Sequence, residues 1–300
     1  MHSFTKCNIK FWLERPYPTH TLLQKLDLPL LEQKNVALQV LRLDLMHPAI
    51  SGNKWFKLKY NLKAALAQGK KRLLTFGGAY SNHLYACAHA ARLLDLEMIA
   101  LVRGEEQRPL NSTLAALEAQ GCHIHYLDRN SYRQKQDPAL LADLQTQFGE
   151  FYLIPEGGCN AAGVEGCKEI IPENTNFDFL CTAVGTGTTL AGLAASLQAG
   201  HKALGFVVLK GAQYLEEEVE KYSSTEQIRF LHDYHFGGYA KRNALLNSFM
   251  EDFTAQSGIA LEHVYTGKMF YGLWELLKQD FFPPQSRLLA IHSGGLRPST

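Results

Sequence analysis

The chain has 300 residues, enough for two lobes at about 150 residues per domain, and its 46% hydrophobic and 20% charged content is that of a globular protein rather than a disordered one. Thirty basic against 29 acidic side chains leave a formal charge of +1, without the global basic excess of a nucleic-acid binder. Apolar runs are too short to span a bilayer and the first residues lack a signal-peptide core, so a soluble cytoplasmic protein is expected, with neither membrane nor nucleic acid as partner.

Leu38 to Leu43 predicts a strand, and Lys59 to Gln68 a helix stopped at Gly69. Arg72 to Phe76 is a second strand ending at Gly77-Gly78, after which Ser81 can cap a helix running towards Leu94. Strands follow at Met98–Val102, His123–Leu127 and Tyr152–Ile154, with helices at Leu110–Gln120 and Leu140–Phe148 between them. The second half repeats the rhythm. Strands are expected at Phe177–Val184, Ala203–Leu209 and Arg287–Ile291, and helices at Leu190–Ala199, Leu245–Ser257 and Phe270–Gln279. This β-α-β-α order predicts an α/β fold with largely parallel sheets flanked by helices.

The six cysteines, Cys7, Cys87, Cys122, Cys159, Cys167 and Cys181, contain no C-x-x-C pair and no accompanying histidines at zinc spacing. They read as buried thiols, and no metal site is expected. Gly185-Thr186-Gly187-Thr188-Thr189 lies between an apolar strand and a helix. Its glycines let the backbone turn tightly, and the N–H groups at the helix start favour an anion. A dinucleotide fingerprint fails here, because Leu190 stands in the third-glycine place and no acid follows the next strand. The Gly-Lys-Ser/Thr of a Walker loop is absent too, so a generic cradle for one phosphate remains, or a glycine turn with no ligand.

Ser51-Gly52-Asn53-Lys54 places a lysine where a loop runs into a helix. With Lys57, Lys59 and Lys63 nearby, the plain reading is a solvated helix face. A lysine amine can also form a Schiff base, and a phosphate cradle would suit a phosphorylated aldehyde cofactor. Ser81-Asn82-His83 is a third candidate, although Ser81 serves equally as an N-cap and no G-x-S-x-G elbow occurs.

Together these segments resemble the family of 1-aminocyclopropane-1-carboxylate (ACC) deaminase and D-cysteine desulfhydrase, pyridoxal 5'-phosphate (PLP) enzymes of tryptophan-synthase β-like fold (fold type II). The matching pieces, in the family's order, are Ser51–Lys54, Ser81–His83, Glu156-Gly157-Gly158, Gly185–Thr189, Gly238-Tyr239, Val264-Tyr265-Thr266-Gly267-Lys268 and His292-Ser293-Gly294-Gly295. The resemblance implies that Lys54 carries PLP through its ε-amine and that Asn82 meets the ring hydroxyl. It implies that Gly185, Thr186, Gly187, Thr188 and Thr189 hold the phosphate. Ser81 would sit beside the substrate carboxylate and reacting carbon, with Tyr239 and Tyr265 as active-site tyrosines. Two lobes are implied as well: 1–56 with 157–300 as the large one, and 57–156 as a small insertion. PLP would lie between them, in a homodimer.

ACC deaminases that resemble this chain carry Glu after the second tyrosine and Leu after the final histidine, where Thr266 and Ser293 stand here. Both would border the cofactor, Thr266 near the pyridine nitrogen. A hydroxyl there favours a less strongly protonated ring than a carboxylate would. The resemblance therefore implies a lyase or deaminase acting on a small amino acid, D-cysteine before ACC, with pyruvate, sulfide and ammonia as products. ACC ring opening is the alternative, as are dehydratase or racemase chemistry on serine or threonine. A catalytically idle binding protein is a further rival, which an intact Lys54 argues against, and a nucleotide-dependent enzyme is weakened by the two failed motifs. The strongly charged segment 211–236 shows no family signal.

Overall fold

A computed structural model of the chain describes Thr5 and residues 8–106 and 108–296. Ten strands are present among these residues: β1 Leu23–Leu26, β2 Ala37–Arg42, β3 Arg72–Gly77, β4 Glu97–Arg103, β5 His123–Leu127, β6 Tyr152–Ile154, β7 Phe179–Val184, β8 Lys202–Val207, β9 Ile228–Leu231 and β10 Arg287–His292. They form two sheets, a six-stranded one in the order β1-β2-β10-β7-β8-β9 and a four-stranded one in the order β5-β4-β3-β6. Every pairing is parallel except β1 with β2.

Because side chains alternate across a strand, each sheet feeds two cores. Leu73, Met98, Ala100 and Val102 of the small sheet join Leu41, Leu180, Val184, Leu289 and Ile291 of the large one in a shared core. Helices Asn53–Ala67, Asn82–Leu93, Ala161–Cys167 and Thr188–Ala195 fill it. The opposite face of the large sheet, with Val40, Cys181, Leu204 and Phe206, packs on helices Ala244–Ser257 and Thr266–Lys278. Leu74, Phe76, Ile99 and Leu101 on the outer face of the small sheet pack with Leu144 of helix Pro138–Phe148.

Several boundaries differ from the sequence expectation. The helix expected from Lys59 begins at Asn53, so Lys54 stands in its first turn, and the seam expected after residue 56 falls inside this helix. The early start follows from close packing on Ala161–Cys167, where a Cβ on Gly166 would stand 1.9 Å from the Phe56 carbonyl oxygen. Lys57 and Lys59 are consequently buried, at 5% and 2% exposure, and are not part of a solvated face. The segment 211–236 contains helix Tyr214–Glu220 and edge strand β9. Cys87, Cys122, Cys167 and Cys181 are buried free thiols and Cys159 is half-buried, whereas Cys7 lies outside the described residues. No helix among the described residues is long and apolar enough to cross a membrane.

Candidate active site

In open parallel sheets, ligands bind outside the carboxyl ends of the strands. Here the ends of both sheets open on one cavity of about 510 Å³. Gly78 and Ser81 follow β3, Arg103 ends β4, Pro155 to Gly157 follow β6, Gly185 to Gly187 follow β7, Leu209 follows β8 and Ser293 follows β10. Lys54, Asn82, Thr189, Tyr239 and Tyr265 line the same space.

Lys54 is held there by backbone geometry. Gly52 precedes it at φ 66° and ψ −150°, a region essentially closed to side chains, and a Cβ on Gly52 would stand 1.9 Å from the Ser293 carbonyl oxygen. The Gly52 N–H donates to the Leu43 carbonyl (2.9 Å) and the Asn53 N–H to that of Ser293 (3.1 Å), so the turn is tied to the end of β10. The Lys54 ammonium donates to Asn53 Oδ1 (2.7 Å), and the Asn53 amide in turn donates to Thr189 Oγ1 (2.9 Å). Burial, and then the neighbouring Lys57 ammonium, push the Lys54 amine down to about 7. A neutral amine is thus available near neutral pH.

The Gly185–Thr189 loop joins β7 to helix Thr188–Ala195 with Gly187 in the left-handed region at φ 80°, and no side chain caps that helix. Its first N–H groups are left to a ligand. Lys57, one turn beyond Lys54, reaches Thr186 Oγ1 at 3.3 Å. From the sequence alone Lys57 reads as a surface residue, and only its spacing of three from Lys54 on one helix face signals the site. Thr188 Oγ1 bonds Thr186 Oγ1 (3.0 Å) but does not border the cavity.

On the opposite side, Ser81 does cap its helix: its hydroxyl oxygen accepts the N–H groups of His83 and Leu84, both at 3.2 Å. The hydroxyl proton is left to donate, so the capping and site readings are compatible. His83 shares a hydrogen bond with Thr75 Oγ1 (2.9 Å), and burial followed by the Lys54 and Lys57 charges lowers its pKa to about 3, keeping it neutral. Asn82 borders the cavity next to Gly295, whose Cβ would stand 3.2 Å from the Asn82 amide nitrogen.

The tyrosines meet edge to face, with ring centroids 6.1 Å apart, and the Tyr265 ring centre is 6.0 Å from Lys54 Nζ. Burial, with Tyr239 alongside, holds the Tyr265 phenol well above its ordinary value, so it can donate a proton but is a poor base. Lys268, fully buried, donates to the Gly238 carbonyl (2.6 Å) directly before Tyr239, and burial lowers its amine to about 8. Thr266 is fully buried and does not border the cavity; its hydroxyl accepts the Glu262 N–H (3.0 Å). The Glu262 carboxylate collects the N–H groups of Val264, Tyr265 and Thr266 at 2.7–2.8 Å and fixes the start of helix Thr266–Lys278. Glu262 carries no sequence signal beyond being an acid before a helix. Ser293 faces the cavity.

The family model for pyridoxal-phosphate dependent enzymes matches residues 24–294. A Pyrococcus abyssi protein, named provisionally as a 1-aminocyclopropane-1-carboxylate deaminase, is 30% identical over 282 residues, covering 87% of this chain and 85% of its own. The bifunctional D-cysteine desulfhydrase/1-aminocyclopropane-1-carboxylate deaminase, mitochondrial, of Arabidopsis thaliana is 28% identical, covering 94% of this chain and 80% of its own. The crystal structure of an ACC deaminase homologue superposes with a TM-score of 0.79 at 27% identity, covering 91% of this chain and 89% of that one. The two parallel-rich sheets are those of fold type II, as the motifs implied. The chain belongs to the pyridoxal-phosphate-dependent enzymes, in the family of ACC deaminase and D-cysteine desulfhydrase.

Proposed function

We propose that the chain is a D-cysteine desulfhydrase-like lyase, which converts D-cysteine and one water to pyruvate, sulfide and ammonia. The observation that carries this reading is Lys54, a lysine amine brought near neutrality by burial in the same cavity as an uncapped, glycine-rich helix start. These groups fit PLP: an amine for its aldehyde, and backbone N–H groups with the Lys57 ammonium for its phosphate. When bound, PLP supplies an electron sink for the pair left behind as the substrate's α-proton departs.

The chain's own residues account for the rest. Lys54 Nζ, neutral at the working pH, accepts the α-proton. The Ser81 hydroxyl, its oxygen already engaged in the helix cap, donates towards the substrate carboxylate. Asn82, at the same helix start, and Ser293, after β10, both line the cavity and would hold the cofactor ring there. The Gly185–Thr189 loop fixes the phosphate. Tyr265, kept protonated by burial, donates to the departing sulfur with Tyr239 beside it. Thr266, held by Glu262 behind the cavity wall, stands where the ACC deaminases that this chain resembles carry a glutamate. The replacement of that glutamate, together with Ser293 in place of a leucine, supports β-elimination from cysteine over ACC ring opening. The Arabidopsis relative's double name keeps ACC as the second reading.

The test starts from colour. PLP-loaded protein should show an absorption band at the visible edge, and borohydride should fix PLP to Lys54 in peptide mapping. Lys54→Ala should lose both signals. D-cysteine should then yield pyruvate and sulfide in equal amounts. A protein that takes up no PLP sinks the reading altogether, and one that consumes ACC but not D-cysteine replaces it with the second.

A further inference from the structure

We propose that Arg103 receives a second negative group on the substrate, so that the cavity takes amino acids whose side chain ends in a carboxylate or another oxyanion. The inference deepens the β-elimination reading and rests on it for the reaction, though not for the binding.

It comes from pairing off the charges around the cavity. Four lysine and arginine side chains line it, Lys54, Lys57, Arg103 and Lys135, against two carboxylates, Glu156 and Glu218. Lys54 is half-buried and directed at Asn53, and Lys57 is directed at Thr186 on the phosphate cradle. Lys135 pairs with Glu156 at 3.3 Å, and Glu218 pairs with Lys221 from its own helix region. Arg103 is what remains. Among the described residues no carboxylate lies within ion-pair reach of its guanidinium.

Instead, Arg103 is held by an aromatic face. Its Cζ lies 5.7 Å from the ring centre of Tyr132, a side chain only 3% exposed, and Lys135 Nζ lies 5.2 Å from the same centre. A cation over a fixed ring is oriented without being neutralised. The guanidinium also stands over the loop that presents Ser81: Arg103 Nη2 is 3.8 Å from where a Cβ on Gly78 would be. A substrate whose α-carboxylate meets Ser81 therefore extends its side chain within a cavity whose rim carries one unneutralised, two-pronged donor. The planar fork matches a carboxylate at two points, which the point charge of a lysine does not. The cavity volume of about 510 Å³ leaves room for a side chain longer than that of cysteine. The thiol of D-cysteine would be accepted without using Arg103.

The experiment compares two β-thioethers that differ at the far end, S-carboxymethylcysteine and S-ethylcysteine, in both enantiomers with the PLP-loaded enzyme. In each, the α-proton goes to Lys54 and the Cβ–S bond breaks with its electron pair leaving on sulfur. With one water the products are pyruvate, ammonia and either mercaptoacetate or ethanethiol. Pyruvate release should give a kcat/KM about tenfold or more higher for the carboxymethyl compound, carried mainly by KM and shrinking as salt is added. Arg103→Gln should bring that ratio to within about twofold of one, with Arg103→Lys between. A ratio near one in the unaltered enzyme, or a ratio that Arg103→Gln leaves in place, overturns the proposal. If neither thioether nor D-cysteine reacts, the reaction assigned above is wrong and calorimetry on the same loaded protein decides the inference. Glutamate should then bind about tenfold tighter than glutamine in at least one enantiomer, and lose that advantage in Arg103→Gln. Equal or absent binding of the two overturns it.

Discussion

The two sides of the cavity are built from different materials. The strand ends of the six-stranded sheet present glycine backbone there: Gly185 and Gly187 after β7, Gly294 and Gly295 after β10, and the Gly52 turn stacked against Ser293. The four-stranded sheet presents side chains, with Ser81 and Asn82 after β3 and Arg103 at the end of β4. Backbone donors cannot be changed by substitution except by blocking the approach to them, whereas a side chain can be exchanged at little cost to the fold. In the proposed function, the strand ends of the first side hold the cofactor's phosphate and present its lysine, which every reaction in the cavity shares. The second meets what differs from one substrate to the next. Damage should therefore differ in kind, with loss of fold and cofactor on one side and loss of selectivity on the other.

The largest effect is expected at Gly52. An alanine there must adopt φ 66° with ψ −150° and place its Cβ against a backbone oxygen 1.9 Å away, an atom that cannot swing aside as a side chain can. Left-handed strain and overpacking together cost about 2–6 kcal/mol, a large part of the 5–15 kcal/mol that holds a domain together. Gly52→Ala should lower the melting temperature by many degrees and abolish PLP uptake. A melting temperature close to that of the unaltered protein would show that this backbone turn tolerates a side chain.

The next effect concerns Lys54 and pH. An ordinary lysine amine is protonated below about pH 10, but burial and the Lys57 charge bring this one to about 7. Protonated amine does not attack an aldehyde, so the rate at which apo-protein gains the PLP band should rise with pH, reach half its maximum near 7, and level off above. At pH 8 the neutral fraction exceeds that of an exposed lysine by about two orders of magnitude. Stopped-flow absorbance across pH 5.5–9.5, a range chosen to be about two units either side, measures it. A rate still climbing at the top of that range would show that the cavity does not desolvate the amine.

Much of the fold was legible because strand signals are local. The apolar runs Arg72–Phe76 and Phe177–Val184 overlap the buried central strands β3 and β7, and Ser81 was visible as a cap. The edge strands β1 and β9 went unseen because Gln24-Lys25 and Arg229 interrupt their four residues with polar side chains, whereas the still shorter β6, Tyr152-Leu153-Ile154, carries no charge. The site was legible where glycines and motif order marked it and obscure where burial decided the role. Lys57 and Lys59 look like surface residues until helix Ala161–Cys167 covers the former's helix face and Glu169 meets the latter (2.6 Å). Thr266 was expected at the cofactor ring, but its hydroxyl is occupied by Glu262, four residues earlier, through a capping arrangement that the spacing alone does not reveal. Arg103 gave no signal, since its significance depends on which carboxylates other lysines have already taken.

The smallest effect is the sharpest test of the side-chain wall, because Ser81 holds two roles on one oxygen. As an N-cap it accepts two N–H groups. Replacement by alanine should cost about 1 kcal/mol, but replacement by glycine only a few tenths. As a donor towards the substrate, its hydroxyl is lost equally in both variants. If the two roles are separate, Ser81→Ala and Ser81→Gly will differ in unfolding free energy yet lose the same factor in kcat/KM for D-cysteine. If the activities instead follow the stabilities, with glycine close to the unaltered enzyme, then Ser81 matters only for holding the start of helix Asn82–Leu93. Recognition of the substrate carboxylate would then pass to the exposed N–H groups and to Asn82, and the side-chain wall would rest on backbone after all.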